Sequence, residues 1–419
     1  LHVRSRRQRQ MCIRDSKDIV VGLDIGTSKI MAVVAEILPG GELKLVGLGV
    51  APSNGLKRGV VVNIDATVAS IQQALKEAEL MADCKITRVY TGITGSHIRG
   101  INSSGMVAIK DREVSAADVA RVVETAKAIN ISTDQRLLLV EPQEFVIDGQ
   151  DVREPIGMSG IRLEAKVHIV TGAQSAAENI IKCVRRCGLD VDQLMLNPLA
   201  SSLSVLTEDE MELGVALVDI GAGTTDVAVF SGGAIRYTSV IPIAGDLITS
   251  DIAMALRTPK DAEDIKVDYG CAKQLLADPA TQVEVPGLGD RGPRMLGRQV
   301  LAGVIEPRVE EIYSLVQQVI RESGYEEMLS SGIVITGGSA VMPGMVELGE
   351  DIFLKPVRRG MPQYAKTLSD MVAQPRAATV MGLMEEARLS RLRGQKVAQK
   401  ATSVQNVFGQ LKDWFGRTF

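Results

Sequence analysis

Aromatic side chains are scarce. Trp, Tyr and Phe make up 3% of the 419 residues, against 45% apolar residues in all, so the cores must be built from Val, Ile, Leu, Ala and Met. The only histidines are His2, His97 and His168, which leaves little room for histidine-based catalysis. Five scattered cysteines exclude a disulfide framework and favour a reducing cytosol. Cys183 and Cys187 share a helix face without a nearby histidine and read as packed thiols. No apolar run approaches the roughly 20 residues of a membrane span.

Charge is small in sum and uneven in place. The chain carries −4; residues 1–16 hold +4 and residues 387–419 hold +6, which leaves −14 on the body. An acidic body argues against nucleic acid as a partner. It fits a protein that touches an anionic surface through its end. Residues 1–16, LHVRSRRQRQMCIRDS, lack the apolar core of a secretory signal and are read as a disordered or non-native arm.

What the chain does have is a glycine-rich turn, twice. Leu217 to Phe230 reads LVDIGAGTTDVAVF: an apolar strand, Asp219, Gly221 and Gly223 in a tight turn, then Thr224, Thr225 and a second apolar strand. Such a turn directs N–H groups inward and attracts phosphate oxygens. Asp219 at the strand end suits a hydrated Mg²⁺, which takes one or two carboxylates plus phosphates. Gly22 to Lys29, GLDIGTSK, repeats the design with Asp24 and Gly26. Two copies far apart in one chain predict two related domains facing one nucleotide.

Around these turns the pattern is α/β. Strands are predicted at 18–23, 30–38, 42–50 and 86–92, with a helix at 66–82. Residues 96–165 read as an inserted subdomain: a helix at 116–129, N-capped by Ser115 with Asp118 completing the box, between strands at 106–110 and 136–148. A helix at 174–187, a strand at 191–196 and a short helix at 197–206 lead to the second turn. Beyond it, IPIAGD opens a helix in which Gly245 offers N-terminal N–H groups to an anion. Glu263 and Lys266 lie side by side on the next helix. Short strands near 282–285 and 293–296 and a helix at 299–322 follow. A strand at 332–336 then ends in Gly337-Gly338, which suits a backbone passing flat against a planar ring.

After a last body helix at 375–389, residues 390–402 are polar, basic and without period, and are read as a linker. The end, SVQNVFGQLKDWFGRTF, gathers Val404, Val407, Phe408, Leu411, Trp414, Phe415 and Phe419 on one helical face. It holds the only Trp and half of the Phe of the chain, as expected of an in-plane membrane helix.

Taken in order, GLDIGTSK, LVDIGAGTTDVAVF, IPIAGD, the Glu263/Lys266 helix and VITGGSA resemble the actin, sugar-kinase and heat-shock-chaperone ATPase superfamily. AELMADCKI, PLASSLSVLTEDEMELGV, VIPIAGDLITSDIA and VIEPRVEEI narrow the resemblance to the bacterial cell-division FtsA family, over residues 17–419. The resemblance implies actin-like (ribonuclease H-like) duplicated domains around a nucleotide cleft, with an inserted α+β subdomain and a C-terminal amphipathic helix. It divides the chain into subdomain 1A (17–95 and 166–196), inserted 1C (96–165), 2A (197–242 and 326–389), 2B (243–325), the linker and the membrane helix (403–419).

It further implies ATP and Mg²⁺ as cofactors. Gly26, Thr27, Ser28 and Lys29 would line one phosphate side, and Gly221, Gly223, Thr224 and Thr225 the other. Asp24 and Asp219 would surround the metal. Glu263 and Lys266 would border the ribose and adenine, and Gly337, Gly338 and Met342 would wall the adenine. Arg308 would pair with the acidic C-terminal peptide of FtsZ. Implied partners also include the protein itself as a filament, later division proteins, and the inner face of the cytoplasmic membrane at the septum. Actin-like polymerases often place Glu before the proline that opens the helix after strand 191–196; here Asn197 stands there, so slow or negligible hydrolysis is expected. A pilus-assembly actin-like protein and a small-molecule kinase of the same fold are the alternative readings. The first lacks a comparable amphipathic end, and the second needs a substrate-facing Asp for which no separate motif is found.

Overall fold

The computed structural model describes residues 19–287, 292–363 and 372–400. Two five-stranded sheets share one topology. The first runs Asp190–Leu196, Arg88–Ile93, Ile19–Ile25, Lys29–Ile37, Leu43–Pro52; the second runs Val357–Arg359, Ile333–Thr336, Val215–Ile220, Thr225–Ser231, Ala234–Ile241. In each, a central strand pairs antiparallel with the next strand and parallel with a later one. The registers coincide as well. Asp24 faces Met31 and Asp219 faces Asp226, seven residues on in both cases.

Apart from Asp24 and Asp219 near their ends, the central strands are apolar because both faces of each sheet are covered. In the first lobe, Val21, Leu23 and Ile25 pack on helices Ile64–Ala82 and Gln174–Arg186, while Val20, Met31 and Val33 meet Val380, Leu383 and Met384 of helix Ala378–Lys400. In the second lobe, Val218, Ile220 and Val227 pack on helices Gly245–Leu256 and Arg298–Ser323, and Leu217, Ala228 and Val334 meet Val205 and Leu206. Gly382 lets helix Ala378–Lys400 ride directly on helix Asn197–Val205, since a Cβ there would lie 1.5 Å from the Ala200 carbonyl oxygen.

Between strands 88–93 and 190–196 the chain makes a separate four-stranded sheet, ordered Arg99–Ala108, Arg162–Ala173, Gln135–Ile147, Gln150–Val152. Helix Ala116–Ala126 covers one face through Val119 and Val122, and the expected capping box of Ser115 and Asp118 is present. Strand Arg99–Ala108 is longer than the periodicity predicts. Its INSSG stretch is mostly exposed and shows no alternation to read. Helix Glu208–Leu213, which the apolar pattern does not predict, is capped by Thr207 and Glu210 and buries no residue fully.

One expectation is corrected. Residues 390–400 continue the last helix rather than forming a linker without period. Ser390 and Arg393 bond back along the helix, both to Glu386, at 3.1 and 2.9 Å. The expected amphipathic end, 403–419, and the arm at 1–16 lie outside the described residues.

Candidate functional site

The two glycine turns close in the same way. The Gly26 N–H donates to the Lys29 carbonyl at 3.0 Å, and the Gly221 N–H to the Thr224 carbonyl at 2.9 Å. They meet face to face: a Cβ on Gly223 would lie 2.7 Å from Thr27 Oγ1 and 2.9 Å from Arg58 Cα. Thr27 Oγ1 itself accepts the Gly59 N–H at 3.1 Å, so a third segment, Arg58-Gly59, joins the junction. Ser28 is exposed on the same turn. Lys29 Nζ reaches Asp24 at 3.5 Å and the Arg376 carbonyl at 2.6 Å, tying the first turn to the entrance of the last helix.

The floor carries buried acid. Asp219 accepts from Ser201 Oγ at 2.6 Å and from Thr379 Oγ1 at 3.4 Å. Burial, with the charge of Asp24 nearby, pushes its carboxyl up to about 6 against the pull of Ser201. Asp226, on the next strand, is held by Thr94 Oγ1 and by Thr224 Oγ1. Burial and the Asp219 charge push it up to about 7. Such mutual repulsion in a buried place is what a bound cation relieves. No cluster of three His, Cys, Asp or Glu among the described residues is placed to hold a metal alone. Asp24 and Asp219 are oxygen donors of the kind a hydrated divalent cation takes one or two of.

On the second-lobe side, Lys266 Nζ bonds Glu263 at 2.7 Å, Thr249 Oγ1 at 2.8 Å and the Gly245 carbonyl at 3.3 Å. Ser339 Oγ donates to the Gly221 carbonyl at 2.9 Å, which places the Gly337-Gly338 turn against the second glycine turn. Gly337 packs on Asp219, where a Cβ would come within 2.4 Å of Oδ1, whereas a Cβ on Gly338 would meet nothing closer than 3.9 Å. Gly338 is thus the flat, open position. Met342 is buried in the second-lobe core, with its Cε 3.3 Å from where a Cβ on Gly270 would sit.

Three sequence expectations change. The Gly245 and Asp246 N–H groups donate to the Gly221 and Ala222 carbonyls at 3.2 and 2.8 Å, so the Gly245 N–H braces the turn and is not offered to an anion. Gly245 is needed for close approach instead, since a Cβ would lie 2.4 Å from Ser339 Oγ. The Thr225 hydroxyl is fully buried and donates to the Ile243 carbonyl at 2.7 Å, so it ties the strand to the chain entering the helix. Arg308 is engaged within its own subdomain, by Asp251 at 2.6 and 3.0 Å and by Glu311, and does not stand free for an acidic peptide.

Asn197 lies at the start of helix Asn197–Val205, and its Oδ1 is buried without a hydrogen-bond partner, set against Gly92. The sequence reading missed Thr94, Ser201, Ser339 and Thr379, which touch the acids or the turns. Only their small hydroxyl side chains beside strand ends marked them, and that signal is common.

Two matched lobes with phosphate-type turns meeting over buried carboxylates define an actin-like protein. Solved structures share the fold: the PilM-PilN type IV pilus biogenesis complex superposes with a TM-score of 0.63 at 19% identity, covering 90% of this chain and 98% of that one. MreB5 of Spiroplasma citri bound to ADP gives 0.56 at 15%, covering 90% and 98%. The family model described as cell division protein FtsA matches residues 216–382, and that of the SHS2 domain inserted in FtsA matches residues 95–171. Cell division protein FtsA of Pseudomonas aeruginosa is 53% identical over 412 residues, covering 96% of this chain and 99% of the relative. That of Escherichia coli K12 is 45% identical over 414 residues, with the same coverage. The chain belongs to the FtsA family of cell-division proteins.

Proposed function

We propose that this chain is an ATP-loaded, filament-forming adaptor that ties FtsZ to the cytoplasmic face of the inner membrane at the septum and recruits later division proteins. The observation that carries the nucleotide part is the pair of identically registered turns, Asp24–Lys29 and Asp219–Thr224, meeting at Thr27 and Gly223. Asp24 and Asp219 would hold Mg²⁺, which neutralises phosphate charge when bound. Gly26, Thr27, Ser28, Gly221, Gly223 and Thr224 would line the phosphates, Glu263 and Lys266 the ribose side, and Gly338 the adenine. Lys29 pairs with Asp24 and donates to the Arg376 carbonyl, and the contact of Thr27 with Gly223 brings both lobes to one site.

Asn197 favours holding over hydrolysing. Its Oδ1 is buried against Gly92, and an amide is in any case not a base able to take a water's proton. A slowly turned-over ATP acts as a structural bridge that biases the closed conformation.

No helix of the described residues is long and apolar enough to cross a membrane. Attachment is therefore assigned to the face of Val404, Val407, Phe408, Leu411, Trp414, Phe415 and Phe419. One such helix binds weakly and many on a filament bind together, so attachment follows polymerisation. The FtsZ peptide is assigned to the subdomain around helix Arg298–Ser323. Because Arg308 is already paired, the exposed Met254, Leu275 and Val300 are better placed than Arg308 to take the peptide. Trp414→Glu tests the tether: liposome co-sedimentation should fall to background while ATP binding is retained. Sedimentation equal to the parent chain would refute the assignment.

A further inference from the structure

The inserted subdomain is fastened to both lobes, at two places built differently. The chain enters it at 94–98 and leaves it at 172–174, and His97 pins the two crossings. The Ala173 N–H donates to His97 Nδ1 at 3.2 Å. Gly95 and Gly172 flank the ring; a Cβ on either would sit 3.0 Å from Nε2 or 3.2 Å from Nδ1. Thr94 opens the first crossing, and its hydroxyl bonds Asp226 of the second lobe.

The other attachment is a polar seam on the edge strand of the second sheet, Ala234–Ile241. His168 lies buried there, its Nε2 2.9 Å from Thr238 Oγ1 and its Nδ1 2.6 Å from Asn102 Oδ1. Asn102 Nδ2 donates to the Arg236 carbonyl at 3.1 Å and Gln143 Nε2 to the Ile235 carbonyl at 2.9 Å. Arg236 pairs with Glu144 at 2.6 Å. Gly100 is pressed on Thr238, where a Cβ would lie 2.6 Å from Oγ1. Asp226 and Thr238 stand on adjacent, paired strands. The entry crossing at Thr94 and the seam at Thr238 are thus joined through two hydrogen-bonded strands.

We propose that Thr94, Asp226 and the seam at Thr238 form one coupling device, by which the state of the cleft sets how firmly the inserted subdomain is held on the second lobe. The nucleotide half of this statement rests on the ATP reading above. The mechanical half does not. Coupling carried by a packed, hydrogen-bonded element is reciprocal: what loosens the seam must also alter affinity in the cleft.

Hydrogen exchange on the full chain tests it. Without nucleotide, Thr94→Val should speed exchange in strands Arg99–Ala108 and Ala234–Ile241 by about tenfold, with strand Lys29–Ile37 unchanged. Thr94→Ser, which keeps the hydroxyl, should match the parent chain. Seam exchange unaltered in Thr94→Val would overturn the proposal. So would equal acceleration of Lys29–Ile37, which marks global loosening. Gly100→Ala wedges the seam from its far end and should change the affinity for a fluorescent ATP analogue with Mg²⁺ by about fivefold or more. Unchanged affinity together with a loosened seam would overturn the coupling. Failure of the parent chain to bind the analogue would overturn the ATP reading, while the two Thr94 variants would still decide the mechanical claim.

Discussion

Asp219 shows how a site can cost stability. Burial pushes its carboxyl up to about 6 from an ordinary 3.8, because it disfavours the charge. A raised carboxyl favours folding below about pH 4, and that contribution is lost as pH rises through 6. Asp219→Asn should therefore raise the thermal midpoint at pH 7.5 in Mg²⁺-free, nucleotide-free buffer, and the gain should vanish toward pH 4. A gain that persists unchanged at pH 4 would contradict this origin. Asn197 is the second residue with a definite expectation. Asn197→Glu should raise phosphate release by at least about tenfold if only a base is lacking, and rapid release by the parent chain would rule the argument out. At this scale the sequence told part of the story. Asp24 and Asp219 stood out by the glycines after them, but Thr94 and Ser201 carry no local mark, and the pairings of Arg308 with Asp251 and Gly245 with Gly221 depend on distant chain.

At the level of elements, helix Ala378–Lys400 does most to assemble the site. It rides on helix Asn197–Val205, which presents Asn197 and Ser201, and it brings Thr379 to Asp219. Gly382→Ala should force the two helices apart, because its Cβ would overlap the Ala200 carbonyl oxygen. The expected loss is about 3 kcal/mol or more, read by urea denaturation, with ATP affinity falling alongside. A variant as stable as the parent would contradict the close crossing. Buried strands and amphipathic helices were legible because their periods are enforced by two covered faces. Strand Arg99–Ala108 and the helical extension from Ser390 were not, since a largely exposed strand shows no alternation and a polar helix turn can be held by side chains such as Ser390 and Arg393 bonding along it.

The whole molecule is a duplication with an insertion. Two sheets of one topology set Asp24 and Asp219 on opposing lobes, and the junction of Thr27 with Gly223 is where they touch. The repeat was visible as two short motifs; the matched strand order and register that make them a clamp required the fold. The seam at Thr238 could not be read at all, because no pattern in either strand announces a partner sheet. The central claim is that one Mg²⁺-dependent nucleotide site draws on both lobes. Calorimetric titration of ATP into the parent chain, Asp24→Ala and Asp219→Ala, each with and without Mg²⁺, tests it most directly. The account predicts one site, tighter with Mg²⁺, whose Mg²⁺ dependence is lost on removing either carboxylate. Mg²⁺-dependent binding that survives the loss of one of them would contradict it.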